Sequence, residues 1–160
     1  MSREARGAPP AASIGAGLDP AAAEQFSGSA FSAGGGGTLG CVQLYNPNES
    51  RTTLIVEHVQ VSASSVTTVS LRRSDTPLAT LSTQWRDGGR RGYGGHGQVR
   101  TEAPAAAPGI EFARTQIATS DSKGFPRLRV VLDPGEGLVV CVLDVSTVVA
   151  VTFVGREQVH

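Results

Sequence analysis

Residues 127–157, RLRVVLDPGEGLVVCVLDVSTVVAVTFVGRE, constrain this chain more than any other stretch. Three runs rich in Val and Leu are separated by two polar breaks, DPGEG and DVST. In the last run Val149, Val151 and Phe153 share one parity while Ala150, Thr152 and Val154 share the other. In the first, Leu128, Val130 and Leu132 alternate with Arg127, Arg129 and Val131, the period of a strand half in water. The middle run, residues 138–143, is apolar on both parities, which predicts burial on both faces or a position against another subunit. β-Branched side chains lose rotamer freedom in a helix but pack well on a pleated surface, so the valines favour strand. Pro134 presets φ in the first break, where Gly135 and Gly137 tolerate positive φ. The stretch therefore reads as three consecutive antiparallel strands. Their single greasy face requires a second sheet or a neighbour.

The preceding chain supplies candidates. A strand over residues 39–45 meets the polar turn Asn46-Pro47-Asn48-Glu49-Ser50 and then the long run 52–63, where Val59, Val61 and Ala63 alternate with His58, Gln60 and Ser62. Residues 54–56 break the alternation, which predicts a bulge near Glu57. Residues 66–73 alternate again, with Val69 and Leu71 inward, and read as a hairpin with the run before them. A weaker strand covers 78–84, and residues 86–97, RDGGRRGYGGHG, read as a long surface loop because glycine weakens a strand interior. A short strand at 99–102, a linker at 103–109, a strand at 110–118 and a turn at 119–126 complete the pass. Seven to nine strands without a helix predict an all-β antiparallel β-sandwich, jelly-roll or immunoglobulin-like, over residues 39–160.

Residues 1–38 are Ala, Gly, Ser and Pro with isolated apolar residues and end in four glycines, a composition that buries no core of its own. They read as an extended, low-complexity N-terminal arm. Its apolar residues Ile14, Leu18, Phe26 and Phe31 are candidate anchors in a partner's grooves.

The formal charge is zero, 14 basic against 14 acidic residues, so no overall field draws the chain to nucleic acid or an anionic surface. No run approaches the ~20 apolar residues that span a bilayer, and no charged-then-apolar signal segment opens the sequence, so a product made and kept in a cytosol is expected. In that setting Cys41 and Cys141, each inside a predicted strand, read as reduced, buried thiols; a disulfide requires their strands to be neighbours. His58, His96 and His160 have no supporting motif and read as ordinary surface histidines, and the cysteines lack metal-ligand spacing. Neither catalysis, a metal nor a cofactor is expected. In the glycine loop, Arg90 and Arg91 stand among glycines with Trp85 and Tyr93, a mixture found where single-stranded nucleic acid is stacked and neutralised. One copy of it, with no strand-to-helix frame, reads instead as a solvated or partner-contacting loop, and these four residues join the candidate partner-binding set.

Four short motifs in order, Tyr45-Asn46-Pro47, the run 54–61, the PGEGL turn at 134–138 and the closing VTFxxRE at 151–157, resemble small β-sandwich structural proteins of tailed bacteriophages. The resemblance covers residues 44–157. It implies a non-enzymatic virion component, a capsid decoration or cement protein that assembles as a homo-oligomer, commonly a trimer, and binds the major capsid protein on the capsid surface. The alternative is a tail-fibre, head-fibre or other receptor- or glycan-binding module of the virion.

Overall fold

In the computed structural model the described residues are 24–87, 94–118 and 121–160. They form ten strands: β1 (Glu24–Ala33), β2 (Cys41–Tyr45), β3 (Thr52–Ala63), β4 (Thr67–Ser74), β5 (Thr80–Asp87), β6 (Gly94–Glu102), β7 (Ile110–Ile117), β8 (Ser122–Leu132), β9 (Gly137–Val142) and β10 (Val148–Val159). The antiparallel pairs β1–β10, β2–β9, β3–β8, β4–β7 and β5–β6 each have numbers that add to eleven. The chain is thus one long ribbon doubled on itself, with β5–β6 at its tip. Wrapping the ribbon brings β10 beside β3, β9 beside β4 and β6 beside β2.

Two packed antiparallel sheets result, β7-β4-β9-β2-β6-β5 and β1-β10-β3-β8, bridged where β1 meets β5 at Phe26↔Asp87 and Ser27↔Arg86. A doubled ribbon wrapped in this way is a jelly roll, so the strand order selects between the two sandwiches expected. Between the sheets lie Val42, Leu44, Leu54, Val56, Leu71, Val140, Val151 and Phe153, all at most 1% exposed. Each such side chain contributes about 1.5–3 kcal/mol of burial. Inward and outward positions follow the alternation: Val149, Val151 and Phe153 are buried while Val148, Ala150 and Val154 are exposed.

Pairing departs from the sequence reading in several places. β3 and β4 are not a hairpin, since β3 pairs with β10 and β8 and β4 with β7 and β9. Likewise β8, β9 and β10 are consecutive in sequence but not paired with one another, because each step along the ribbon crosses to the other sheet. Residues 86–97 are not all loop: β5 runs to Asp87 and β6 begins at Gly94. β8 likewise begins at Ser122, inside the stretch read as a turn. The arm is shorter than expected, because Glu24–Ala33 pairs with β10 along its full length and belongs to the sandwich. Small residues at Ser27, Gly28, Ser29, Ala30 and Ser32 look like linker, yet β10 supplies the backbone partners and the greasy face.

The cysteine reading is also overturned. Cys41 and Cys141 lie directly opposite on β2 and β9, and a disulfide joins them with Cα atoms 4.2 Å apart. The Val142 N–H donates to the Gly40 carbonyl at 3.0 Å, which marks this as a non-hydrogen-bonded pair, the position where antiparallel backbones approach most closely. Two of the phage-like motifs meet at one end of the sandwich. The Asn46 N–H donates to the Glu136 carbonyl (2.9 Å) and the Gly135 N–H to the Asn46 carbonyl (2.7 Å). The buried Asn46 amide also donates to the Thr52 (2.8 Å) and Leu132 (2.9 Å) carbonyls, so it fastens β2, β3 and β8 together. Gly135 has φ 91, which suits glycine.

The bond closes a loop with a sequence separation of 100, so its removal releases much unfolded-state entropy. Denatured, non-reduced protein should take up no alkylating agent, and Cys41→Ser/Cys141→Ser should lose on the order of 2–4 kcal/mol in denaturant unfolding. Two alkylated thiols without reductant would overturn the bond.

Candidate interaction surfaces

The outer face of the β7-β4-β9-β2-β6-β5 sheet is closed by the chain itself. Leu39, Leu78 and Ala107 pack over Cys41, Val139 and Cys141. Gln43, fully buried on β2, acts as a backbone mimic: its Nε2 donates to the Thr76 carbonyl (3.0 Å) and its Oε1 accepts from the Leu78 N–H (2.7 Å). Arg100 Nε donates to the Leu78 carbonyl at 2.6 Å. Arg72 holds a second strap, donating from Nε to Pro108 (2.8 Å) and from Nη2 to Gly109 (2.9 Å). Residues 138–142 are therefore buried on both faces by their own chain, and the subunit contact considered for them does not arise.

No described residue covers the outer face of the β1-β10-β3-β8 sheet. Across it run the rows Ala33↔Val148, Phe31↔Ala150↔Ser62, Ser29↔Thr152↔Gln60 and Ser27↔Val154↔His58. Among these positions none is Asp, Glu, Lys or Arg. Phe31 is 72% exposed beside a shallow depression of about 330 Å³ floored by Ala150 and Thr152. Lack of Asp, Glu, Lys and Arg and a protruding aromatic are two features that this face shares with an interface core, although its Ser and Ala positions are not among them.

In the strand order the two end strands are β7 and β8. Glu111 fastens β7 to β4: it accepts from the Ser70 hydroxyl and from Arg114 Nε and Nη2 (3.0 and 3.1 Å), and pairs with Arg72 at 3.3 Å. The Ser70 hydrogen bond, then those from Arg114, hold its carboxyl below the usual range. Arg73 crosses from β4 to donate to the Val131 carbonyl on β8 and pairs with Glu136 at 3.3 Å.

A second open basin, of about 460 Å³, is lined by Glu57, Arg127, Arg129 and Arg156. It forms where register breaks coincide. Against β8, Val56 pairs with Val130 and His58 with Pro126, so residues 127–129 face Glu57 alone. Against β10, Val56 pairs with Gly155 and His58 with Val154, so Glu57 has no opposite there. The bulge expected near Glu57 is thus present on both sides. Arg127 has φ 61, outside the strand region, and Arg156 pairs with Glu57 at 2.6 Å.

Of the residues singled out in the sequence, Phe31 lies on the outer face of the β1-β10-β3-β8 sheet. Phe26 lies in β1 opposite Gly155, and Trp85 lies in β5. Ile14, Leu18, Arg90, Arg91 and Tyr93 lie outside the described residues. His58 contacts Gln60 Oε1 at 3.2 Å, and His160 contacts the Thr53 hydroxyl at 2.5 Å. Among the described residues no three His, Cys, Asp or Glu side chains come together. The arginine basin was not foreseen, although the broken alternation before Glu57 marked its position. No protein-family model matches the sequence, and no curated protein matches it.

The strap and the β7 clamp can each be tested by one substitution. Gln43→Ala should leave the Leu78 N–H unpaired and the Thr76 carbonyl with only the Ser74 hydroxyl (3.2 Å), costing about 1–3 kcal/mol and speeding hydrogen exchange at Leu78. Unchanged exchange there would show that Gln43 does not hold the strap. For Glu111, a lowered folded-state pKa gives stabilisation that is present above the unfolded value, about 4.3, and lost as pH falls through the lower folded value. The stability gap between wild type and Glu111→Gln should be widest at neutral pH and close in acid; a gap independent of pH would refute the clamp.

Proposed function

We propose that this protein is a non-enzymatic structural component of a bacteriophage virion, of the capsid decoration or cement type. In this reading it assembles as a homo-oligomer, a trimer, and binds the major capsid protein on the outer surface of the shell, which it stabilises. The observation that carries the reading is the face around Phe31, which no described residue covers and whose rows hold no Asp, Glu, Lys or Arg. One sheet is sealed by the chain's own straps, whereas the other presents small side chains to whatever packs on it, which suits a block that is buried on one side.

Three further features support it. Jelly rolls recur in viral capsid proteins, and doubling the ribbon leaves few strand edges open to unwanted pairing. The disulfide fits a working place outside a reducing cytosol, as the surface of a virion is. The NP and PGEGL segments that resemble phage proteins are one hydrogen-bonded unit here. Residues 1–23 precede β1, and each extended residue can add up to ~3.3–3.6 Å of reach. Ile14 and Leu18 would anchor such a tether on a neighbouring subunit.

Phe31→Asp places a charge in the middle of this face without touching the core. It should convert the oligomer to monomer in native mass spectrometry and sharply reduce occupancy on particles, while circular dichroism and the melting transition stay near wild type. An unchanged oligomer with full occupancy would sink the assignment of this face. Copy number relative to the major capsid protein tests the role itself: hundreds per particle fit decoration, and a handful would move the protein to a fibre or receptor-binding module.

A further inference from the structure

We propose that the basin at the Glu57 bulge is a binding site for a tetrahedral oxyanion, a phosphate or sulfate group. Arg127, Arg129 and Arg156 line it with one carboxylate, Glu57, leaving a formal excess of two positive charges (three minus one). Glu57 is engaged by Arg156 at 2.6 Å. The side chains of Arg127 and Arg129 make no hydrogen bond or ion pair with any described residue, and both line the basin. Arg156 Nε is buried and has no partner, although its Nη2 is bonded. An unpaired buried donor is unfavourable, and an anion that reaches it would satisfy it.

The backbone supports a built site rather than scattered surface charge. Three residues of β8 face one of β3, which brings Arg127 and Arg129 to the same basin, and β10 breaks register at the same level. Arg127 keeps φ 61 without being glycine, a conformation retained where surroundings or function demand it. Bulges of this kind re-aim side chains next to sites. Three separate guanidinium donors favour a ligand with three or four acceptor oxygens, and a tetrahedral oxyanion has them; a lone carboxylate has two. The site does not depend on the virion reading and can stand or fall without it.

The test is a titration of the full-length protein with inorganic phosphate, sulfate, acetate and chloride at matched ionic strength. Amide and arginine Nε signals of Glu57, His58, Arg127, Arg129 and Arg156 are followed by NMR. Phosphate and sulfate should give saturable shifts confined to these residues, with acetate weaker and chloride without effect. Arg127→Gly, which removes the guanidinium at a φ glycine accepts, and Arg129→Gln should each weaken phosphate on the order of tenfold. Glu57→Gln removes the competing carboxylate and should tighten it several-fold. A phosphate monoester that binds more tightly than inorganic phosphate would place the group on a partner, and equal binding would identify a free ion; either supports the site. Shifts that track ionic strength alone, or acetate equal to phosphate, would overturn it. So would arginine variants that lose solubility with phosphate binding unchanged, since the arginines would then only guard the β8 edge.

Discussion

Backbone hydrogen bonding is the demand that this structure is built to meet. The ten strands of the described residues must each find partners for their N–H and C=O groups, because a buried unpaired group costs about as much as a lost hydrogen bond. Doubling the chain meets the demand one rung at a time, from β1–β10 to the β5–β6 tip. Each rung then places its greasy face toward the opposite sheet. The pairing of β2 with β9 shows the consequence locally: the Val142 N–H reaches the Gly40 carbonyl, and the same register sets Cys41 opposite Cys141 for the disulfide. A covalent bond across a sequence separation of 100 is thus placed by the ribbon, not by anything near either cysteine.

The two outer faces are treated differently by the same chain. On one sheet, the links on either side of the β5–β6 tip fold back as straps, and polar side chains hold them by bonding backbone groups. Gln43 is the sharpest case. A Cβ at Gly137 would lie 2.4 Å from its Nε2, so the glycine makes room for the buried amide. Among the described residues nothing comparable covers Phe31, Ala150 and Thr152. The rows that are left hold no Asp, Glu, Lys or Arg, so a partner that covers them has no such charge to desolvate, although the hydroxyls of Ser27, Ser29 and Ser62 must find hydrogen bonds.

Much of the fold was legible because side-chain period reports which face a residue occupies. Parity alone assigns Val149, Val151 and Phe153 inward and marks Leu54–Val56 as the approach to a bulge, and the structure agrees on both. Partner choice was not legible. A turn such as Ser64-Ser65 shows where the chain reverses, but not whether the next strand stays in its sheet or crosses to the other. β1 was missed for a different reason: its Ser, Gly and Ala positions carry no apolar period, and its strand state comes from pairing with β10. The candidate residues of the glycine-rich stretches fared worst, since composition there signals contact without geometry, and only Phe31 is placed on a surface.

The arginine basin shows how a backbone irregularity can be written into a sequence without being visible as a motif. A Cβ at position 155 would sit 2.1 Å from the Ile55 carbonyl oxygen, so only glycine lets β10 approach β3 this closely at the level of the bulge. Gly155 therefore sets the height of the register break, and Arg156, the next residue, is delivered to Glu57 by it. On the other side β8 absorbs the mismatch with Pro126, which cannot donate to a ladder, and with Arg127 in a left-handed φ. Three strands thus share one defect. Its position makes Glu57, Arg127, Arg129 and Arg156 neighbours although they come from three strands, and a register shift of one residue in any of these would disperse them.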